Sequence, residues 1–371
     1  MRTTQRVWGL VLGLVAAGWL TGCGDAHAVE DRALVIAVGV GPGTTAGEES
    51  WTFVVPNISI TASSISSLPP GDQVYSITVQ APSWAIALVA VQDRMSRDLF
   101  LGDLAVVAFD TRMPVDQVAM VMRSLDQDGL IPKSFWVIGA QGPVKRLLTW
   151  PTPQEVIPRY YLAAYFACRT CHAVDWNTLG WEWWVRRLTP GVTPVAPVMT
   201  ETRSGLRVQT LAVYPPGRLP VTMPPEIANG FACLTGRLMK GALTGNWRGV
   251  HFAIERMRAA SSASVRWEKS GVRAAVGVDI TGYLATSRLP GANQPWLRGA
   301  QQWAARRIAA ECLAAVAWAN AHRTDPFGYT RDAILTVPDL AQRLAPGTVL
   351  WRPLTVSVNV DVRLQSRGTV A

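Results

Sequence analysis

The sequence lacks the motifs by which common classes of enzyme are recognised. It contains no Walker-type loop, no His-Glu-x-x-His and no Gly-x-Ser-x-Gly, and Gly39-Val40-Gly41 lacks the third glycine of a dinucleotide-binding loop. Histidine is scarce, and no nucleophile signature stands beside any of the four histidines, which are His27, His172, His251 and His322. We therefore predict that the chain is not an enzyme and has no catalytic residue, no metal site and no cofactor.

Long apolar runs and basic clusters are also missing beyond the N-terminal end of the chain. The nearest candidate for a membrane span, residues 308–320, contains Glu311 and is flanked by arginines, so it is predicted to be a core helix. The net charge of +9 is carried mostly by single arginines rather than by a basic run with interleaved aromatics. This pattern argues against nucleic acid as a partner.

The N-terminal end has the pattern of an export signal. Arg2 and Arg6 precede an apolar run over residues 7–20, and Leu20-Thr21-Gly22-Cys23 closes the run with small residues. The run has roughly 14 residues, fewer than the ~20 that a membrane-spanning helix needs. Residues 1–22 are therefore expected to be a cleaved signal peptide, and the mature protein is expected to begin at Cys23.

Leu20-Thr21-Gly22-Cys23 resembles the bacterial lipobox, which implies that the Cys23 thiol carries a diacylglycerol. Two or three acyl chains hold a protein stably, because each buried methylene contributes ~0.8 kcal/mol. Cys23 is therefore the predicted lipidation site, residues 23–33 form a lipid-proximal tether, and the lipid bilayer is a partner. The net positive charge then favours attraction to an anionic membrane surface. The alternative is an ordinary secretory signal in which a cysteine happens to follow glycine.

The remaining cysteines raise a competing possibility. Cys168-Arg169-Thr170-Cys171-His172 has the C-x-x-C-H spacing of covalent haem attachment, in which two thiols take the vinyl groups and the histidine binds iron. The same residues are also compatible with a local disulfide, a partial metal site, or buried thiols that act as small apolar groups. We prefer structural cysteines, and Cys233 and Cys312 show no spacing that suggests a disulfide-stapled scaffold.

Periodicity predicts an α+β fold with mixed sheets and packed helices in two to three domains. Residues 34–189 alternate strands with helices and form the N-terminal α+β domain or domains. Residues 190–225 are rich in proline around one strand, 206–213, and are predicted to be an interdomain segment. Residues 226–371 form a C-terminal α+β domain.

Three elements are predicted within the C-terminal domain. Residues 250–258 are expected to be helical, and a long helix over residues 295–322 is stopped by Asp325-Pro326. Residues 354–364 alternate apolar and polar side chains throughout, which predicts a strand with one buried and one wet face.

The order of these features resembles the Ger(x)C family, the lipoprotein C subunits of spore germinant receptors. The resemblance lies in the lipobox, the apolar strand at 34–40, Leu99-Phe100-Leu101-Gly102 before a strand, Asp325-Pro326-Phe327-Gly328 after the long helix, and the closing strand. It covers nearly the whole mature chain. Asp103 stands where the family often has histidine, so the chain is a divergent member.

The resemblance implies an α+β protein, not known as an enzyme, on the outer face of the spore inner membrane. There it would act with the membrane A subunit and the permease-like B subunit of a germinant receptor. The chain is thus expected to be an exported lipoprotein that supports nutrient-triggered germination. The alternatives are a c-type haem electron-transfer lipoprotein that uses Cys168, Cys171 and His172, and a solute-binding lipoprotein.

One loop is a candidate for contacts with the other subunits. It comprises Asp325, Pro326, Phe327, Gly328 and Tyr329, and combines a restrained backbone, a glycine and two aromatic rings at the end of the longest helix. Loops held by rigid elements often carry such contacts. The structural alternative is that Phe327 and Tyr329 tuck under the helix end while Asp325 accepts backbone hydrogen bonds.

Overall fold

The computed structural model describes residues 32–57, 74–151, 158–203, 205–285 and 294–366. The predicted signal peptide 1–22, Cys23 and nearly all of the tether 23–33 lie outside the described residues. No helix in the described ranges is long and apolar enough to cross a membrane. The described residues form mixed sheets with packed helices, which confirms the predicted fold class.

The N-terminal elements alternate strands with helices. In chain order they are β1 (Arg32–Leu34), β2 (Ala37–Pro42), β3 (Glu49–Pro56), β4 (Val74–Ala81), α1 (Trp84–Gln92), β5 (Asp98–Phe100), β6 (Val106–Asp110), α2 (Val115–Gln127), β7 (Trp136–Gln141), α3 (Val144–Leu148), α4 (Pro158–Ala167), α5 (Gly180–Leu188), β8 (Val195–Thr202), β9 (Gly205–Val213) and β10 (Val221–Thr222).

An eight-stranded sheet forms the centre of this half, in the order β10-β9-β8-β7-β6-β2-β3-β4. Its inner strands β2, β6, β7 and β8 are parallel, while the strands toward both edges are antiparallel. Helices α1, α2 and α5 cover one face, and α3 and α4 cover the other. Because helices lie on both faces, the inner strands are continuous apolar runs rather than alternating ones, as in β6, which is buried throughout.

The segment predicted to be interdomain contributes three strands to this sheet. β8 pairs in parallel with β7, and β9 and β10 continue the sheet beyond it. Pro197 is tolerated inside β8 because the β7–β8 ladder begins only at Val198, so the missing amide hydrogen is not needed there. Residues 195–222 therefore pack as part of the N-terminal sheet, although their proline content is typical of a linker.

The C-terminal elements are α6 (Pro225–Leu234), β11 (Gly241–Trp247), β12 (Val250–Glu268), β13 (Gly271–Ala285), α7 (Gln294–Ala321), α8 (Tyr329–Leu335), α9 (Pro338–Arg343) and β14 (Leu354–Ser366). The four strands form one sheet in the order β11-β12-β13-β14. The long helix α7 and the closing strand β14 confirm the sequence predictions. Residues 250–258 belong to β12, so their predicted helix is wrong.

Helices α6 and α7 cover the inner face of this sheet, and they pack tightly against each other at Gly230. A Cβ atom on Gly230 would lie 2.1 Å from the Glu311 carbonyl oxygen and 3.1 Å from the Ala315 Cβ atom. Both distances are shorter than normal packing contacts. The absence of a side chain at this position is therefore what allows the two helices to pack.

Gly230→Ala is expected to destabilise the fold by about 1–3 kcal/mol, because the added methyl group forces α6 away from α7. A loss of stability would be informative, since alanine is normally more favourable than glycine inside a helix by about 1 kcal/mol. Urea denaturation measures the effect. Gly129→Ala is the control, because nothing lies within 4 Å of a Cβ atom there. Equal stability of the two variants would contradict the close packing.

Candidate functional site

The loop between α7 and α8 is built around one buried carboxylate. Asp325 is 2 % exposed, and its carboxylate accepts backbone hydrogen bonds from Phe327 at 3.1 Å, Gly328 at 2.8 Å and Thr330 at 2.5 Å. Phe327 and Gly328 directly precede α8 and Thr330 lies in its first turn, so the carboxylate caps the start of the helix. Gly328 has φ +87°, a conformation that favours glycine.

The loop is also tied to the segment that leads into β8. The Asp325 amide donates to the Thr193 hydroxyl at 3.0 Å, and the Thr193 amide donates to the Asp325 carbonyl at 2.8 Å. On the other side, Arg186 of α5 donates to the backbone carbonyls of Thr193 and Pro326. The loop thus joins the N-terminal half of the molecule to the end of α7.

Burial sets the electrostatics of this junction. It lowers the pKa of Arg186 to about 10, assisted by the positive charge of Arg237, while the nearby Asp325 charge acts in the opposite direction. Burial also raises the pKa of Asp325, against the hydrogen bonds from the backbone that favour the ionised form. Removing one charged partner from such a site leaves the other charge buried and uncompensated.

The two aromatic rings of the loop pack inward. The Phe327 ring stacks on Tyr329 with centroids 5.2 Å apart and meets Phe231 of α6 at 5.7 Å. Tyr329 is buried and Phe327 is half-buried. These contacts favour the structural interpretation of residues 325–329 over the interaction-loop hypothesis, because little of the loop is left for another protein to touch.

Arg186, Thr193 and Arg237 were missed by the sequence analysis. Arg186 and Arg187 close a short amphipathic helix, a position in which arginine is normally solvated and interacts with the last carbonyls. Arg237 donates from its guanidinium to the Asn177 carbonyl at 2.8 Å. Single arginines on a helix or in a loop give no local signal that they are buried.

Cys168 and Cys171 are joined in a disulfide just after α4, with their Cα atoms 5.4 Å apart. The neighbouring His172 ring stacks on Tyr165 with centroids 3.9 Å apart, and its Nε2 atom lies 3.1 Å from the Tyr165 carbonyl oxygen. Burial lowers the pKa of His172. Of the alternatives open for this segment, the structure thus adopts the local disulfide, with both sulfurs bonded to each other.

The double variant Cys168→Ser, Cys171→Ser is expected to fold and to lose at most about 2 kcal/mol of stability, since the closed loop is very short. Expression of the unsubstituted chain with a haem-attachment system should give a colourless protein. Urea denaturation and a haem stain check the two expectations. A stain that is present in the unsubstituted chain and absent from the double variant would establish haem attachment instead.

The other two described cysteines are buried free thiols. Cys233 lies on α6 and Cys312 on α7, both inside the core. A hydrogen bond with Cys312, together with burial, raises the pKa of the Cys233 thiol well above its usual value. Both side chains therefore act as small apolar groups. In the described ranges, no group of three or more His, Cys, Asp or Glu side chains is arranged to hold a metal ion.

Comparisons with known proteins assign the class of the chain. Residues 25–201 match the family model described as the spore germination protein N-terminal domain. No curated protein matches the chain. The fold is similar to the crystal structure of the GerBC protein, with a TM-score of 0.51 and 13% sequence identity over 90% of this chain and 99% of that one. At this identity the likeness shows the fold alone.

The chain therefore carries the N-terminal domain of spore germination proteins. With the shared fold, this match supports the predicted Ger(x)C family. The same two findings support the prediction that the chain is a subunit of a germinant receptor.

Proposed function

We propose that the chain is a non-catalytic, lipid-anchored subunit of a spore germinant receptor. It supports nutrient-triggered germination at the outer face of the spore inner membrane. The observation that carries this proposal is the match of residues 25–201 to the spore germination protein N-terminal domain, which begins directly behind the predicted lipidation site Cys23.

The anchor in this proposal is the acylated Cys23. An attachment at the N-terminal end suits a chain in which no described helix could cross a membrane. Only the short tether 23–33 separates the acylated Cys23 from the fold. The large sheet would therefore lie close to the bilayer surface. The A and B membrane subunits would then lie within reach of the N-terminal half.

Helix α1 offers an apolar surface for such a contact. Its sequence is apolar on nearly all sides, yet only one side packs on the sheet, through Trp84, Ala87 and Val91. Ile86 is 52% and Val89 is 63% exposed on the outer side. A helix that is apolar all round is normally buried, so its exposed side fits a partner surface of apolar character.

Co-purification with the A and B subunits tests the proposal. The double variant Ile86→Asp, Val89→Asp should keep its melting temperature and lose co-purification and the germination response together. Leu335→Asp is the control, since Leu335 is a comparably exposed apolar residue, 67%, on helix α8. If the unsubstituted chain fails to co-purify with either subunit, the proposed function is wrong.

A further inference from the structure

A cavity of about 390 Å³ opens on the outer face of the C-terminal sheet, away from α6 and α7. Its side chains are three cations, two hydroxyl groups and one amide, namely Lys240, Arg256, Arg258, Thr281, Tyr283 and Gln365. No carboxylate and no aliphatic side chain is among these described lining residues. The volume suits a small-molecule site, but the lining suits a charged ligand rather than an apolar one.

Strand pairing fixes the positions of the lining residues. Arg258 of β12 is paired with Thr281 of β13, and Tyr283 of β13 is paired with Gln365 of β14. These four residues come from three adjacent strands and lie on one face of the sheet. Hydrogen-bonded pairing of adjacent strands therefore fixes the backbone positions from which these four side chains extend.

A β-bulge in β12 brings two arginines to this face. The register shifts between Glu255 and Arg258, so β12 has one residue more than β13 across this stretch. Without the extra residue, Arg256 and Arg258 would fall on the buried side, in phase with Ile254. With it, Met257 enters the core and both arginines are exposed. Arg256 has φ +53°, which is uncommon for a residue other than glycine and marks local strain.

The three cations have no ion-pair partner among the described residues, unlike other arginines of the same sheet. Arg273 pairs with Glu268 at 2.7 Å, and Arg363 pairs with Asp361 at 2.9 Å. Lys240, Arg256 and Arg258 instead line one cavity together. Like charges so arranged repel one another, and an anion bound between them would relieve that repulsion.

We propose that this cavity binds a phosphate group, carried either by a soluble phosphorylated compound or by a phospholipid headgroup. Guanidinium groups match the geometry of phosphate oxygens, and the Lys240 ammonium and the Thr281 hydroxyl add further donors. A group with two negative charges matches three unpaired cations better than a single carboxylate does. The proposal does not depend on the receptor function.

Calorimetric titration of inorganic phosphate into the full-length chain tests the site. Lys240→Gln and Arg258→Gln are each expected to weaken binding by about tenfold or more, because each removes a charged donor. Arg273→Gln is the matched control: it removes the same charge from the same face of the sheet but outside the cavity, and should leave the affinity unchanged.

Arg256→Gly separates binding from stability. Glycine accepts the positive φ, so this variant should melt no lower than the unsubstituted chain while its phosphate affinity falls by about tenfold. A variant that had merely become less stable would show a lower melting temperature as well as a lower phosphate affinity.

Vesicles distinguish the two sources of phosphate. The full-length chain with Cys23→Ala, which has no thiol to acylate, is sedimented with vesicles of phosphatidylglycerol or of phosphatidylcholine. Binding to phosphatidylglycerol that Arg258→Gln abolishes supports a lipid headgroup, and binding of inorganic phosphate alone supports a soluble compound. The proposal is overturned if neither probe binds, if Lys240→Gln and Arg258→Gln leave binding unchanged, or if only an acidic peptide binds.

Discussion

Cys23→Ala is expected to move essentially all of the protein out of the membrane fraction, or to leave it as an uncleaved precursor. The reason is energetic, since two or three acyl chains at ~0.8 kcal/mol per buried methylene supply a stable anchor, whereas surface charge attraction contributes only about 1 kcal/mol per lysine or arginine near the surface. Fractionation with immunoblotting and the mass of the N-terminal fragment measure the outcome.

The control for this experiment is Thr21→Ala, which keeps the cysteine and a small residue in the cleavage region. It should remain processed and membrane-bound. Full retention of a correctly cleaved Cys23→Ala chain would show that something other than the lipid holds the protein. High salt then separates two cases, because attraction between surface charges is screened by salt and apolar contact is not.

The second large effect is expected at Asp325. Asp325→Ala removes the acceptor of three backbone hydrogen bonds and the negative charge near the buried Arg186. Breaking a buried charged site in this way typically costs about 3–5 kcal/mol. We therefore expect a large fall in the urea midpoint, which circular dichroism measures.

Asp332→Ala is the matched control, since this aspartate lies on α8, directly behind the loop, and pairs at the surface with Arg331. Exposed ion pairs contribute about 0–1 kcal/mol, so the control should stay close to the unsubstituted chain. Phe327→Ala should fall between the two, because its ring is only half-buried. If Asp325→Ala melts normally but loses co-purification with the receptor subunits, the loop 325–329 is an interface after all.

Strand β12 shows where prediction from the local sequence pattern fails, since its residues 250–258 were predicted to be helical. Apolar residues of β12 stand at Phe252, Ile254 and Met257, with spacings of two and then three. The bulge after Glu255 produces the second spacing, and a spacing of three is typical of a helix. An irregularity in a strand thus produces a helix-like spacing within residues 250–258, which were predicted to be helical.

The sequence pattern predicted regular elements correctly where one side of the element is buried and the other is exposed to solvent. The long helix and the final alternating strand could be predicted because burial on one side imposes a period of 3.6 or 2 on the sequence itself. The sequence alone thus determined the class of fold, the long helix and the final strand. It also contains contiguous patterns that predict an export signal and the lipidation site Cys23.

Only the tertiary structure decided which residues meet across the chain. Arg186, Thr193 and Asp325 come together from three separate segments, and the cations around the phosphate cavity come from a loop and a bulged strand. It likewise decided that residues 195–222 belong to the large sheet. Burial of a single arginine leaves no periodic trace in the sequence, because it depends on contacts with residues from other segments of the chain.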